Sequence, residues 1–302
     1  MTIQNETAEA AAEFPAAAEA ALQDTAQRSG LDTRGARLIR LFATAVYRLP
    51  AADAVARIAL ATSPDSVARL DTSVQVTRWL TGIAFPCVEP LPVEQPVTSH
   101  GCAVTFWRYL PQDGPEPGPA DLGRLLRELH GLGSPPVALL AYRPLVSARR
   151  AIASSHAIGE EERGWLGERC DRLVAAYGQL RFRLPAGMIH GDAYRGNLLR
   201  DGQRVVLADW DAVSTGPREV DLIPTLQATR FGLPDDQREA FVSAYGHDIR
   251  SWEGYQVLRG IRELSTLTAL LRDGHADIAA RKELQIRLRS LRAGDDQEWT
   301  SF

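Results

Sequence analysis

The chain has 302 residues, 45% of them hydrophobic, and a formal net charge of −4 at pH 7. That length buries a core large enough for one large domain or two lobes, which excludes a small stapled scaffold, and the negative balance excludes a global attraction to nucleic acid. Cys87, Cys102 and Cys170 are odd in number, far apart and without a Cys-x-x-Cys pair, so neither a disulfide framework nor a structural zinc site is expected and a reducing cytosol fits best. The N-terminus shows no basic segment followed by an apolar core, and nowhere do eighteen apolar residues run together. The expectation is a soluble, cytoplasmic protein without a membrane partner.

Residues 1–30 form an acidic, Ala-rich extension, expected to be helical or partly disordered and partly detached, because Glu6, Glu9, Glu13, Glu19 and Asp24 meet no basic residue before Arg28. A small lobe is expected over 31–110. In it, 41–49 and 54–59 read as two strands joined at the Pro50-Ala51-Ala52-Asp53 turn. Leu70, Val74, Thr77 and Leu80 recur at helical spacing and Gly82 closes that helix. Residues 88–97 and 102–110 read as a second hairpin turning at His100-Gly101.

Four prolines and two glycines between Pro111 and Pro119 break regular structure and mark the lobe boundary. The larger lobe, 111–302, reads as mainly helical. Asp121 caps a helix with Leu122, Leu125, Leu126 and Leu129 on one face, and Glu160, Glu161 and Glu162 open another. Two more helices are expected at 235–245 and 252–271. Gly131-Leu132-Gly133 is too short for a dinucleotide fingerprint and ends a helix instead. The fold class that follows is α+β, a small antiparallel-sheet lobe followed by a larger helical one.

The chemistry concentrates in MIHGDAYRGNLLRDGQRVVLADWDAVSTGPREVDLI, residues 188–223. His190, Gly191, Asp192 and Asn197 lie on a loop, and strands at 197–200 and 204–208 are joined by the tight turn Asp201-Gly202. A hairpin folds back on itself, so Asn197 and Asp209 emerge at one edge. Two hard oxygen ligands set side by side suit Mg²⁺, which keeps water and phosphate oxygens in its remaining positions. Asp192, five residues before Asn197, is placed to accept a proton from an attacking hydroxyl. Chance would produce His-Gly-Asp with Asn at this spacing in roughly one chain in a thousand of this length.

These residues resemble the aminoglycoside phosphotransferase family, whose architecture choline kinases and protein kinases share. The resemblance implies a protein-kinase-like two-lobed fold, with Asp192 as catalytic base or substrate-orienting carboxylate and Asn197 and Asp209 as the magnesium ligands. It implies that Asp221, in Gly216-Pro217-x-x-x-Asp221-Leu222, braces the catalytic loop, while His190 holds that loop without transferring protons. The small lobe departs from the family. Lys282 is the only lysine in the chain, so Arg57 takes the place of the strand lysine that would hold the nucleotide phosphates, or is an exposed strand residue, and no acid stands at Ser73, where the paired helix glutamate would fall, Asp71 being the nearest carboxylate. With no glycine-rich loop over 43–49, Thr44 is the candidate for phosphate contact. Trp107, Arg108 and Tyr109 stand where the family has its adenine-binding hinge, or are ordinary core.

The implied activity is transfer of a γ-phosphoryl group from ATP or GTP, with Mg²⁺, to a hydroxyl of a small molecule such as an antibiotic or natural product. Metabolic phosphorylation of a sugar or amino alcohol, or a catalytically weak nucleotide-binding pseudokinase, are the alternatives. Eleven residues between Asp209 and Asp221 leave no room for a protein-kinase activation segment. Tyr194, Asp211 and Glu263 are the candidate acceptor-binding residues, and Asp248 and Glu253 are further carboxylates able to attract a cation.

Overall fold

The computed structural model of the chain describes residues 2–42, 44–274 and 277–300, with side chains from Phe14 onward apart from Asp273. Ala43, the first residue of the glycine-free stretch, and the side chains of Glu6, Glu9 and Glu13 therefore lie outside the described residues. In chain order the elements are α1 (Thr2–Arg28), β1 (Arg37–Leu41), β2 (Thr44–Leu49), β3 (Ala54–Leu60), α2 (Pro64–Gly82), β4 (Val97–Ser99), β5 (Cys102–Arg108), α3 (Pro119–Gly131), α4 (Val146–Ser154), α5 (Glu160–Tyr177), β6 (Ala186–Ile189), β7 (Leu198–Asp201), β8 (Arg204–Leu207), β9 (Ser214–Pro217), α6 (Glu219–Leu226), α7 (Asp235–Tyr245), α8 (Tyr255–Ser265), α9 (Leu267–Asp273) and α10 (Ile278–Ala293). The chain divides into two compact units, one of residues 1–117, 134–139 and 197–213, the other of 118–133, 140–196 and 214–302.

The first unit is built on an antiparallel sheet of order β1-β2-β3-β5-β4. Alternation along β3 decides what each face does, because successive side chains point to opposite sides. Ala54, Ala56 and Ile58 are fully buried in one cluster with Phe14, Ala18, Ala21, Leu22 and Ala26 of α1. Arg57, between them, points the other way. From Phe14 onward the N-terminal helix is thus not detached: its small residues let it lie close on the sheet, and the apolar area removed from water holds it there. α2 begins with a capping box in which Ser63 and Ser66 exchange hydrogen bonds, and buries Leu70, Val74, Thr77 and Leu80.

The second hairpin is shorter than expected. Pro90, Pro92 and Pro96 cannot donate to a ladder, and the Gln95 side chain substitutes for one, its Oε1 accepting from the Phe106 amide at 2.7 Å and its Nε2 donating to the Phe106 and Leu91 carbonyls. Residues 88–96 consequently form no strand. The hairpin β7–β8 also belongs to this unit, through a bridge between Leu207 and Cys87.

In the second unit β6 pairs with β9, and the rest is helical. α3 starts at Gly118, whose amide donates to the Asp121 carboxylate at 2.8 Å, so Asp121 serves from the third helical position and is not the N-cap. Its four leucines are buried as their spacing predicts. α3 and α7 approach closely at Gly123, where a Cβ would stand 2.7 Å from the Phe241 carbonyl oxygen. The helix expected over 252–271 is two helices. Thr266 turns its hydroxyl onto the Glu263 carbonyl at 2.7 Å and gives its own carbonyl to Arg287 at 3.1 Å, which ends α8.

Candidate active site

In the first unit the β7–β8 ladder pairs Leu198 with Leu207 and is extended by the Ala208 amide, which donates to the Asn197 carbonyl at 2.8 Å. Asn197 and Asp209 leave the hairpin at the same end. Asp209 adopts φ 64°, a left-handed conformation that aspartate tolerates better than most residues. The next residue, Trp210, is fully buried, donates from Nε1 to the Leu207 carbonyl at 2.9 Å and meets the Phe85 ring edge-on at 6.0 Å. This anchor fixes the two carboxylates on either side of it.

Both carboxylates close on Arg57. Its Nη2 lies 2.9 Å from Asp209 Oδ1 and 3.1 Å from Asp211 Oδ2, and its Nη1 lies 3.2 Å from Asp211 Oδ1, a bidentate grip on Asp211. Burial by itself would lower the Arg57 pKa; Asp211 and then Asp209 outweigh it and hold the guanidinium above its ordinary value. Ser73 is buried with its Oγ lacking a hydrogen-bond partner among the described residues, so the cation of β3 finds its counter-charges in the Asp-Trp-Asp segment and not on α2. Asp211, expected at the acceptor, is placed here instead. Asp209 Oδ1 is engaged with Arg57, while hydrogen bonds to Oδ2 are absent among those described. An amide and a carboxylate that leave the hairpin at the same end are donor types that suit a hard divalent cation keeping most of its water.

The residues of the expected adenine hinge make contacts within the first unit. Trp107 is buried, its Nε1 donating to Thr105 Oγ1 at 2.9 Å. Arg108 binds Asp201 at 2.5 Å and Glu89 at 3.2 Å, and Tyr109 lies beneath the Arg48 guanidinium, 3.6 Å from its ring centroid. The amides of Arg108 and Tyr109 donate to Glu89 and Asp53 carbonyls. Thr44 opens β2 opposite Ala59, and its carbonyl accepts from the Phe42 amide at 3.0 Å.

In the second unit Asp221 is fully buried and accepts from the amides of His190 at 2.7 Å and Gly191 at 2.8 Å. Its Oδ2 also meets His130 Nε2 at 3.1 Å. Since a carboxylate only accepts, Nε2 donates to it, and Nδ1 lies 2.9 Å from the Tyr245 hydroxyl. Desolvation would raise the Asp221 pKa, but His130, His190 and the Gly191 amide prevail and hold it below the usual carboxylate value. Gly191 takes φ 83°, a conformation available to glycine without penalty. The loop turns there, and the Asp192 amide donates to His190 Nδ1 at 3.4 Å.

Asp192 Oδ1 accepts from Arg262 Nη1 of α8 at 2.6 Å. The pair lines a cavity of about 650 Å³ together with Tyr194. Glu263 does not line it: it is buried, held by Arg230 Nε at 2.7 Å and Arg259 Nε at 3.0 Å. Asp248 is clasped by Arg250 and Glu253 lies 3.8 Å from Arg183. Sequence reasoning missed His130 and Tyr245, and missed the pairing of Arg262 with Asp192. Only His130 left a trace, as a histidine on the buried leucine face of α3.

The model of the phosphotransferase enzyme family matches residues 8–261. The chain belongs to that family. No curated protein sequence matches this phosphotransferase, but solved structures share its kinase-like fold. The amicoumacin kinase hAmiN, solved in complex with AMP-PNP, Ca²⁺ and Ami, is 13% identical with a TM-score of 0.69, over 92% of this chain and 95% of that one. A microcompartment-associated aminopropanol kinase is 16% identical with a TM-score of 0.66, over 92% and 98%. Aminoglycoside phosphotransferase APH(3'')-Id from Streptomyces rimosus is 21% identical with a TM-score of 0.58, over 79% and 95%. The family match begins within α1, so it takes in most of the N-terminal helix. Among the described residues no helix of this phosphotransferase is long and apolar enough to cross a membrane.

Proposed function

We propose that the chain transfers the γ-phosphoryl group of ATP or GTP to a hydroxyl of a small molecule, in the cytoplasm, with nucleotide handled by the sheet unit and acceptor by the helical unit. The observation that carries this reading is the hairpin mouth, where Asn197 and Asp209 leave the β7–β8 ladder at the same end and Arg57 meets Asp209. Asn197 and Asp209 would hold Mg²⁺, which when bound neutralises charge on the transferring phosphate. Arg57 supplies the cation that other relatives draw from a lysine, with a planar fork able to grip two phosphate oxygens. Asp192 orients the acceptor hydroxyl and takes its proton. Asp221 and His190 fix the loop that carries it, and the closed hydrogen-bond set around Asp221 removes the freedom that would blur this position.

The test is Asp192→Asn, whose Oδ1 can still accept from Arg262. Phosphoryl transfer should fall by about 10²–10⁴-fold while Mg-nucleotide affinity stays within about twofold. Turnover at the parental rate would refute the assignment. The pseudokinase alternative is favoured by Arg57 and Ser73 standing where the lysine and glutamate of relatives would be. It predicts tight nucleotide binding by the parent with no turnover on any acceptor. An antibiotic and a metabolic alcohol fit the site equally as acceptors in outline, and the charge of the cavity separates them further.

A further inference from the structure

The cavity beside Asp192 has a charge pattern that bears on its occupant. Among its lining residues Asp192 is the single carboxylate, and it is already paired with Arg262, whereas four arginines, Arg195, Arg262, Arg272 and Arg287, contribute to the wall. Arg287 carries its own counter-ion, Glu283, at 2.8 Å. The carboxylates that would welcome a polyamine are spent elsewhere: Glu263 on Arg230 and Arg259, Asp248 on Arg250. An ammonium group entering here would lose its water beside guanidinium groups and gain no unpaired carboxylate, a combination that opposes binding.

Two residues that line the cavity each hold a buried polar atom without a hydrogen bond among the described residues. Arg262 Nε is buried without a hydrogen bond among the described residues, although Nη1 of the same fork holds Asp192. Gln227, 2% exposed, has a buried Oε1 in the same condition. An unsatisfied buried donor and acceptor are costly unless a ligand or water completes them. A planar guanidinium with a free edge suits a carboxylate or phosphate, and an amide oxygen suits a hydroxyl.

We infer that the acceptor is a hydroxyl compound bearing an anionic group, a hydroxy acid or its phosphate counterpart, whose anion is taken by Arg262 while the hydroxyl takes over Asp192. This rests on the kinase reading above and narrows its substrate. The exchange is balanced in charge: Arg262 trades one carboxylate for another, and Asp192 is released from an ion pair to serve the hydroxyl only when an acceptor of the right charge is present. The pair thereby ties specificity to activation, since a neutral or cationic alcohol leaves Arg262 on Asp192.

Calorimetry on the full chain, with and without Mg-AMP-PNP, tests this with gluconate against glucose, shikimate against its methyl ester, and kanamycin as the polycation. At least one acid should bind roughly tenfold or more tightly than its neutral counterpart, with no heat from kanamycin. Arg262→Gln should erase that difference while leaving Mg-AMP-PNP affinity unchanged, and Arg262→Lys should restore part of it. Kanamycin binding as tightly as the acids, equal binding of acid and neutral partner, or no binding by either acid would each overturn the inference. Failure of Mg-AMP-PNP to bind the parent would defeat the kinase reading instead, and the titrations without nucleotide still decide the charge preference.

Discussion

Replacing Arg57 by alanine perturbs the one cation that joins both carboxylates of the Asp-Trp-Asp segment. Three charge-assisted contacts between 2.9 and 3.2 Å are lost. Each such bond contributes about 1.5–3 kcal/mol when shielded, but the Asp209 and Asp211 side chains are 32% and 30% exposed, so water recovers much of their solvation. The net loss of stability should therefore be about 2 kcal/mol, or about 3 °C in Tm for a chain of this length. Catalysis should suffer more, by at least about tenfold in rate at saturating acceptor, a floor below the about 10²–10³-fold cost of removing one preorganised donor to the transition state. Divalent-cation affinity measured without nucleotide should move the opposite way and rise, because Arg57 no longer competes for Asp209 and two carboxylates stand unneutralised. Arg57→Lys should recover part of the rate, since one ammonium cannot reproduce the bidentate grip on Asp211. Calorimetry with Mg²⁺ alone, steady-state kinetics and a thermal melt measure the three effects. A metal affinity that falls in Arg57→Ala, or a parental rate, would refute the reasoning.

Asp209→Ala should weaken Mg-dependent nucleotide binding by about tenfold or more and leave metal-free binding almost unchanged; equal losses with and without Mg²⁺ would count against the ligand role. Gly123→Ala should destabilise the chain by about 1–3 kcal/mol, because the new methyl would meet the Phe241 carbonyl oxygen at 2.7 Å and Ala244 Cβ at 2.9 Å, and an unchanged urea midpoint would contradict that close approach of α3 and α7. The depressed pKa of Asp221 contributes stability that is present above the unfolded carboxylate value of about 3.9 and is lost as pH falls through the lower folded value. Asp221→Asn should accordingly cost about 3 kcal/mol near neutrality and flatten the acid limb of the stability profile below about pH 4; a mutant with the parental acid limb would rule this out.

The sequence by itself determined what is local. The turn at Asp201-Gly202 sets the register of β7 on β8, and register alone brings Asn197 beside Ala208 and so beside Asp209. The leucine face of α3 and the glutamates opening α5 were equally legible, because a helix repeats its surroundings every 3.6 residues and records them in spacing. The docking of the N-terminal helix was misread because the side chains it buries are mostly alanines, which carry almost no hydrophobic contrast and leave no period to detect. Residues 88–96 were misread because a glutamine side chain, not a backbone ladder, occupies the Phe106 amide. Only the tertiary structure decided the partners of the charged groups: Arg57 with Asp209 across 152 positions, Asp192 with Arg262 across 70, Asp221 with His130 across 91. No local rule links residues so far apart, and an arginine on a strand or helix looks the same in sequence whether it faces water or a carboxylate. What selects the pairing is the cost of leaving a shielded charge alone, highest for the fully buried Asp221 and lower for the part-exposed Asp192 and Asp209, a condition that exists only once the chain has closed around it.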